Sequence, residues 1–259
     1  VLSMKLKVSE TKFLEYRYEL KENDYMLDFS VKSQGLDGVI NGSQDIILDW
    51  ELKGRRQAKS IAYENRYTRL TYQYEGDRID KLGQMGDDEE TEVDVSWLSF
   101  RQHFFSSILL TDKPFKSVVL KSENLMNDEE VDTLFTKNYT VSIPLELNGG
   151  ELNETMSMYY GPTDSKTLKA YDLGLEESIP FGWGIFGWIN KNLFIPLFGL
   201  LSGFLPYGIA IIVMTILVRL VLSPVLYKSY LSQAKMKILK PEIAEISAKY
   251  KDNAMKKQK

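Results

Sequence analysis

Several runs in the first 175 or so positions alternate apolar and polar residues with period two, which predicts a mainly β protein built on one large antiparallel sandwich. Turn-prone pieces separate the runs, and the length is sufficient to bury a core without disulfides, which the absence of cysteine excludes. A single long apolar run follows near the C-terminus, so the sandwich is predicted to be held at a bilayer.

Six runs carry the sandwich. Leu14, Tyr16, Tyr18 and Leu20 share one face, as do Tyr25, Leu27, Phe29 and Val31 in the next run. Ile46, Leu48, Trp50 and Leu52 follow, then Val93, Val95 and Trp97. Tyr139, Val141, Ile143, Leu145 and Leu147 form the fifth run, and Leu152, Met156, Met158 and Tyr160 the sixth. Turns are expected at Gly35-Leu-Asp-Gly38, Asn41-Gly-Ser43, Gly83-Gln-Met-Gly86 and Asn148-Gly-Gly150. Short helices are expected near residues 100–109 and 165–173. The acidic run Asp87-Asp-Glu-Glu90 lacks the spaced ligands of a calcium loop and reads as a solvated turn. His103, the one histidine, lies among aromatics, where packing is its expected role; no metal site or cofactor is expected.

Residues 181–205 are dense in aromatics and glycine, with Pro196 interrupting the run and Asn190, Lys191 and Asn192 near its centre. The composition predicts an interfacial helix with tryptophans at headgroup depth, a two-span hairpin being the alternative. From Tyr207 to Tyr227 the chain offers a predominantly apolar stretch of 21 residues, ~31 Å as a helix, against a hydrocarbon core of about 30 Å. Residues 206–227 are therefore assigned as the transmembrane helix, opened by Pro206 and Gly208 and closed near Pro224. Arg219 sits inside it. A charge at that depth is a functional-site hypothesis with a polar cavity as its expected surroundings, snorkelling towards the headgroups being the simpler alternative.

Residues 228–259 hold nine lysines against Glu242, Glu245 and Asp252, net +6, whereas only Lys191 is basic in the 20 residues before the span. The positive-inside rule places this tail in the cytoplasm and residues 1–180, with 21 basic and 33 acidic groups, outside. In the tail Leu239, Ile243, Ile246 and Tyr250 make an apolar seam on a helix that Pro241 can begin, so the segment calls for a partner helix. Val1 opens the chain without a start methionine or signal peptide, and the lysine-rich pattern reaches Lys259 without a cap; a piece of a longer protein is expected.

In order along the chain, Thr215-Ile-Leu-Val-Arg219, Pro224, Tyr227-Lys-Ser-Tyr230, Ala234-Lys-Met236, Leu239-Lys-Pro-Glu-Ile243 and Lys249-Tyr-Lys-Asp252 resemble the YidC family of membrane protein insertases, relatives of the mitochondrial oxidase-assembly and thylakoid translocases. Gly182-Trp-Gly with Gly187-Trp188 looks like the approach to the family's interfacial helix, and residues 97–105 resemble a stretch of its outer domain. The resemblance implies a periplasmic β-supersandwich, similar to sugar-mutarotase sandwiches, at a bacterial inner membrane. It implies that Arg219 and Thr215 line a hydrophilic groove open to cytoplasm and lipid, and that the tail is the first arm of a cytoplasmic hairpin. The implied function is insertion and folding of inner-membrane proteins without nucleotide hydrolysis or enzymatic chemistry, and the sequence has no phosphate-binding glycine loop. Implied partners are nascent membrane proteins and lipids, with the Sec translocon and ribosome as further candidates and no nucleic-acid sequence recognition. The second function class is a membrane-anchored periplasmic module binding carbohydrate or protein; the third, a hydrolase or epimerase, needs an acid and a base clustered on the sandwich.

Overall fold

The computed structural model describes residues 1–40, 45–127 and 134–249, with side chains to position 244. The expected turn at Asn41-Gly-Ser43, the side chain of the seam residue Ile246, the seam residue Tyr250, and the motif Lys249-Tyr-Lys-Asp252 beyond its first backbone position lie outside what is described. The chain divides into two compact units, Val1–Ile179 and Pro180–Lys259.

In the first unit the strands are β1 (Leu2–Lys7), β2 (Phe13–Leu20), β3 (Met26–Gln34), β4 (Ile46–Arg55), β5 (Arg69–Tyr74), β6 (Arg78–Lys81), β7 (Asp88–Glu92), β8 (Val95–Arg101), β9 (Phe105–Phe115), β10 (Val118–Asn124), β11 (Phe135–Leu145), β12 (Leu147–Asn148) and β13 (Glu151–Pro162). Two short helices accompany them, α1 (Ile61–Asn65) and α2 (Ser165–Lys169). One sheet runs β1-β2-β3-β13-β9-β8-β5-β6, with β12 on β13; the other runs β4-β11-β10-β7. The described pairings are antiparallel, as the sandwich reading requires.

The main core lies between the sheets and takes Phe29, Val31, Leu70, Tyr72, Leu98 and Phe100 from the larger, Leu120, Tyr139, Val141 and Ile143 from the smaller. Trp50, Phe100 and Tyr139 stack as a three-ring column across the interface, with centroids 4.1 and 5.1 Å apart. A second apolar layer covers the outer face of the larger sheet, where Leu168 and Leu175 pack on Trp97, Ile108, Leu110 and Tyr159. Three layers result.

Several expectations change. Asp88–Glu92 is strand β7, pairing β10, where a turn was expected. Its alternate carboxylates find donors: Glu90 accepts from the Tyr72 hydroxyl at 2.5 Å, and Asp88 from the Gly83 amide at 2.5 Å. Cross-strand pairing thus overrides a composition poor in β-formers. Residues 100–109, expected to include a helix, end β8 and begin β9, because an apolar run has no period to separate a buried strand from a helix. Val93 lies outside any strand. Val95 joins the core between the sheets while Trp97 joins the outer layer, since the register shifts between them in a β-bulge. The helix expected at residues 165–173 is only α2, capped by Asp164 through the Thr167 amide at 2.8 Å. Strands β1, β5, β6, β9 and β10 were not anticipated.

In the second unit, α3 (Gly184–Ile189) passes through a π turn, Asn190–Phe194, into α4 (Ile195–Ser202), and α5 (Tyr207–Lys249) follows. Pro196 does not interrupt the run: it falls in the first turn of α4, where the π turn displaces the carbonyl its ring would strike. Pro241 likewise lies inside α5 rather than at the head of a new helix.

Candidate functional site

Helix α5 builds the site around Arg219. Pro206 precedes its first turn, and the Ala210 amide donates to the Pro206 carbonyl at 3.0 Å. Pro224 removes the amide that would have bonded the Leu220 carbonyl. The Ser223 hydroxyl donates to that same carbonyl at 2.8 Å, replacing the lost donor where hydrocarbon offers none. Two stretches, Gly184–Ser202 and Tyr207–Ala244, are long and apolar enough to cross a membrane by length and composition.

Arg219 stands 12 residues after Tyr207 and 8 before Tyr227, ~18 and ~12 Å along the axis. Its side chain is exposed and makes no hydrogen bond or ion pair among the described residues. Thr215 lies one turn before it on the same face, and its hydroxyl donates to the Ile211 carbonyl at 2.8 Å, leaving lone pairs free to accept. Ser223 and Tyr227 continue the i, i+4 ridge beyond Arg219, so four polar residues line one slanting row of an otherwise apolar helix. Sequence reading singled out Thr215 and Arg219 and passed over the other two, although the same spacing of four would have found them.

Upstream, Trp183 and Trp188 are 80% and 65% exposed, and Ile185 and Phe186 are exposed between them. The Asn190 and Asn192 amides turn inward, donating to the Phe181 and Trp188 carbonyls at 2.7 and 2.9 Å. The first bond ties the π turn back to the chain before α3, and the second gives a helix carbonyl a side-chain donor. The polar cluster is thus absorbed by the helix itself. Phe198 of α4 and Tyr207 of α5 stack at 6.0 Å across the connecting turn.

His103 stacks on Tyr67 at 4.4 Å and Phe104 at 4.1 Å, the packed role expected of it. Among the described residues no group of acids, histidines or cysteines could hold a metal. One groove of about 550 Å³ is lined mostly by polar residues, with Phe115 its one aromatic. Glu154 in that groove has its pKa raised by burial, opposed by the charge of Lys113. Deeper in the unit Lys137 is fully buried, its ammonium has no partner among the described residues, and burial, with the charge of Arg69, brings its pKa down to about 8. Arg101, also buried, is brought down to about 10 chiefly by desolvation. Burial pushes the Tyr139 phenol well up.

Two family models match the chain in succession: the YidC periplasmic domain over residues 2–196 and the 60Kd inner membrane protein over residues 198–259. Among curated proteins, the membrane protein insertase YidC of Parabacteroides distasonis is 37% identical over 269 aligned positions, covering 99% of this chain and 42% of the relative. That of Bacteroides fragilis is 35% identical, with 99% and 43% covered, and that of Porphyromonas gingivalis 32% identical, with 98% and 43% covered. The chain therefore spans about two-fifths of the length of these relatives.

Proposed function

The chain belongs to the YidC family, and on that premise we propose that it is part of a membrane protein insertase whose substrate path runs past Arg219. The observation that carries the reading is an arginine inside the apolar first half of α5, with no counter-ion among the described residues. Hydrocarbon around that guanidinium would cost at least about 2.5 kcal/mol, so a hydrophilic groove completed by other helices of the full-length protein is its proposed environment. There Arg219 attracts acidic residues in the exported flank of an incoming segment. At an effective dielectric near 20, two unit charges about 4 Å apart attract by about 4 kcal/mol, enough to draw the flank in and small enough to release it. Thr215 offers a hydroxyl oxygen on the same wall. Insertion is driven by partition of the substrate's apolar segment into lipid, without nucleotide and without a covalent step.

The proposed layout is a periplasmic unit at residues 1–180, an interfacial helix at 181–205, the span at 206–227 and a cytoplasmic arm at 228–259, in a bacterial inner membrane. The lysine excess after the span supports this orientation. Nascent membrane proteins and lipids are the proposed partners, and the Sec translocon and ribosome are included among them as the family resemblance implies.

The test is made in the full-length protein with a single-span substrate whose exported flank is acidic. Arg219→Ala should lower insertion about tenfold or more, corresponding to about 1.4 kcal/mol per factor of ten, and Arg219→Lys should retain most of it. Unchanged insertion in both variants would leave snorkelling as the account of Arg219.

A further inference from the structure

The sandwich is acidic, yet residues 53–69 hold six basic residues and one acid, Glu64. Elsewhere in residues 1–180, 15 basic residues face 32 acids, so this stretch reverses the sign of its surroundings. The reversal is exposed at the surface. Arg55, Lys59 and Arg66 are exposed and Arg56 is half-buried, and none of the four makes an ion pair among the described residues. Elsewhere in the unit seven of the 15 basic residues do, namely Lys5, Lys7, Arg17, Lys21, Arg78, Lys116 and Lys121.

Glu64, the stretch's own acid, is unavailable to them. It is fully buried, and one carboxylate oxygen accepts the Gln57 and Ala58 amides at 2.5 and 2.6 Å, which folds the basic loop back onto α1. The next turn of chain joins this loop to an aromatic tip. Tyr63 and Tyr67 pack on His103 at 5.5 and 4.4 Å, and His103 stacks on Phe104. Phe104 and Phe105, at the turn between β8 and β9, are 50% and 55% exposed, and Tyr63 is 46% exposed. Half-exposed phenylalanines and a tyrosine on the tip that α1 shares with the basic loop make a surface both apolar and cationic, which a partner both apolar and anionic would cover.

We propose that this end of the sandwich, the β4–α1 loop with the β8–β9 turn, is a docking surface for the anionic headgroup layer of a bilayer. Arginine and lysine reach phosphate oxygens while the rings of Tyr63, Phe104 and Phe105 enter the interfacial region, the combination that surface-binding segments use. A domain tethered to a membrane meets such a layer at high effective concentration, so weak contacts suffice. An acidic peptide could match the cations but would leave the phenylalanines in water. This role is independent of Arg219.

The chain has no cysteine, so Ala62→Cys on exposed α1 places a single polarity-sensitive dye in the patch. The labelled chain is reconstituted in vesicles of phosphatidylcholine, alone or with an equal part of phosphatidylglycerol. With phosphatidylglycerol the emission should shift to the blue and be quenched by brominated acyl chains. Both effects should vanish in Arg55→Ser/Arg56→Ser/Lys59→Ser and at about 1 M salt, where the screening length falls to about 3 Å. They should persist in Lys12→Ser/Lys32→Ser/Lys113→Ser, which removes equal charge elsewhere. Equal emission in both vesicle types would overturn the proposal, as would a shift that survives the triple substitution in the patch. A shift produced only by added acidic peptide would also overturn it.

Discussion

Arg219 stands nine residues before Lys228, ~13 Å along the helix, so its stem reaches only part of the way to headgroups on that side. A lone charge among aliphatic residues is the plainest signal a sequence can carry. Lys137 is the opposite case. It lies in phase with Tyr139, Val141 and Ile143 and therefore points inward, yet a lysine between Thr136 and Asn138 reads as the wet end of a strand. In the folded state its ammonium loses its proton near pH 8, whereas in the unfolded chain it does so near ~10.4. Between about pH 8 and 10 the unfolded chain thus binds the proton the folded form has shed, and stability rises with pH. Lys137→Met should raise the melting temperature of the sandwich at pH 7, in line with the ~1–3 kcal/mol cost of an unpartnered buried polar group, and should abolish the rise between pH 8 and 10. Thermal melts of both proteins across that window check this. Gly161 offers a second test: a Cβ there would sit 2.6 Å from the buried Tyr159 ring and hydroxyl and 2.9 Å from Tyr25. Gly161→Ala should cost about 1–3 kcal/mol in denaturant unfolding.

At the scale of elements, α5 shows how a proline is accommodated within an apolar helix. If Ser223 replaces the donor that Pro224 removed, Ser223→Ala should destabilise the helix by about 1 kcal/mol in detergent micelles, and do so much less in a Pro224→Ala background, where the backbone amide returns. Amide exchange in α5 measures both. Strand β1 makes a contrasting prediction. Among the described residues it pairs only β2, all six of its residues are exposed, and Leu2, Met4 and Leu6 lie opposite Tyr18, Tyr16 and Leu14 with no facing layer. Its amides should exchange orders of magnitude faster than those of β8, which is paired on both sides and buried. The strands anticipated from sequence are those whose alternation is strict, such as β11. Strands β7 and β9 escaped because one is held by carboxylates with tertiary donors and the other begins in an unbroken aromatic run, and neither cause is local.

Across the whole molecule, an acidic unit and a basic tail flank the span, and the near-neutral total conceals them. The sandwich and the long apolar helix were legible because each rests on a repeated period or a long run. The continuity of α5 through Pro241 was not, because proline's local preference was read as a helix start while the helix on both sides carries it through. The proposed orientation predicts that a cysteine placed at Lys237 is labelled by an impermeant reagent only after the inner membrane of spheroplasts is opened. The central claim is an electrostatic encounter between Arg219 and an acidic exported flank. It is tested most directly by a double-mutant cycle in the full-length protein, comparing arginine and alanine at position 219 with substrates whose flank acids are kept or changed to asparagine. The account predicts coupling: Arg219→Ala lowers insertion about tenfold with the acidic flank and little with the neutral one. Equal losses with both flanks, or none with either, would contradict it.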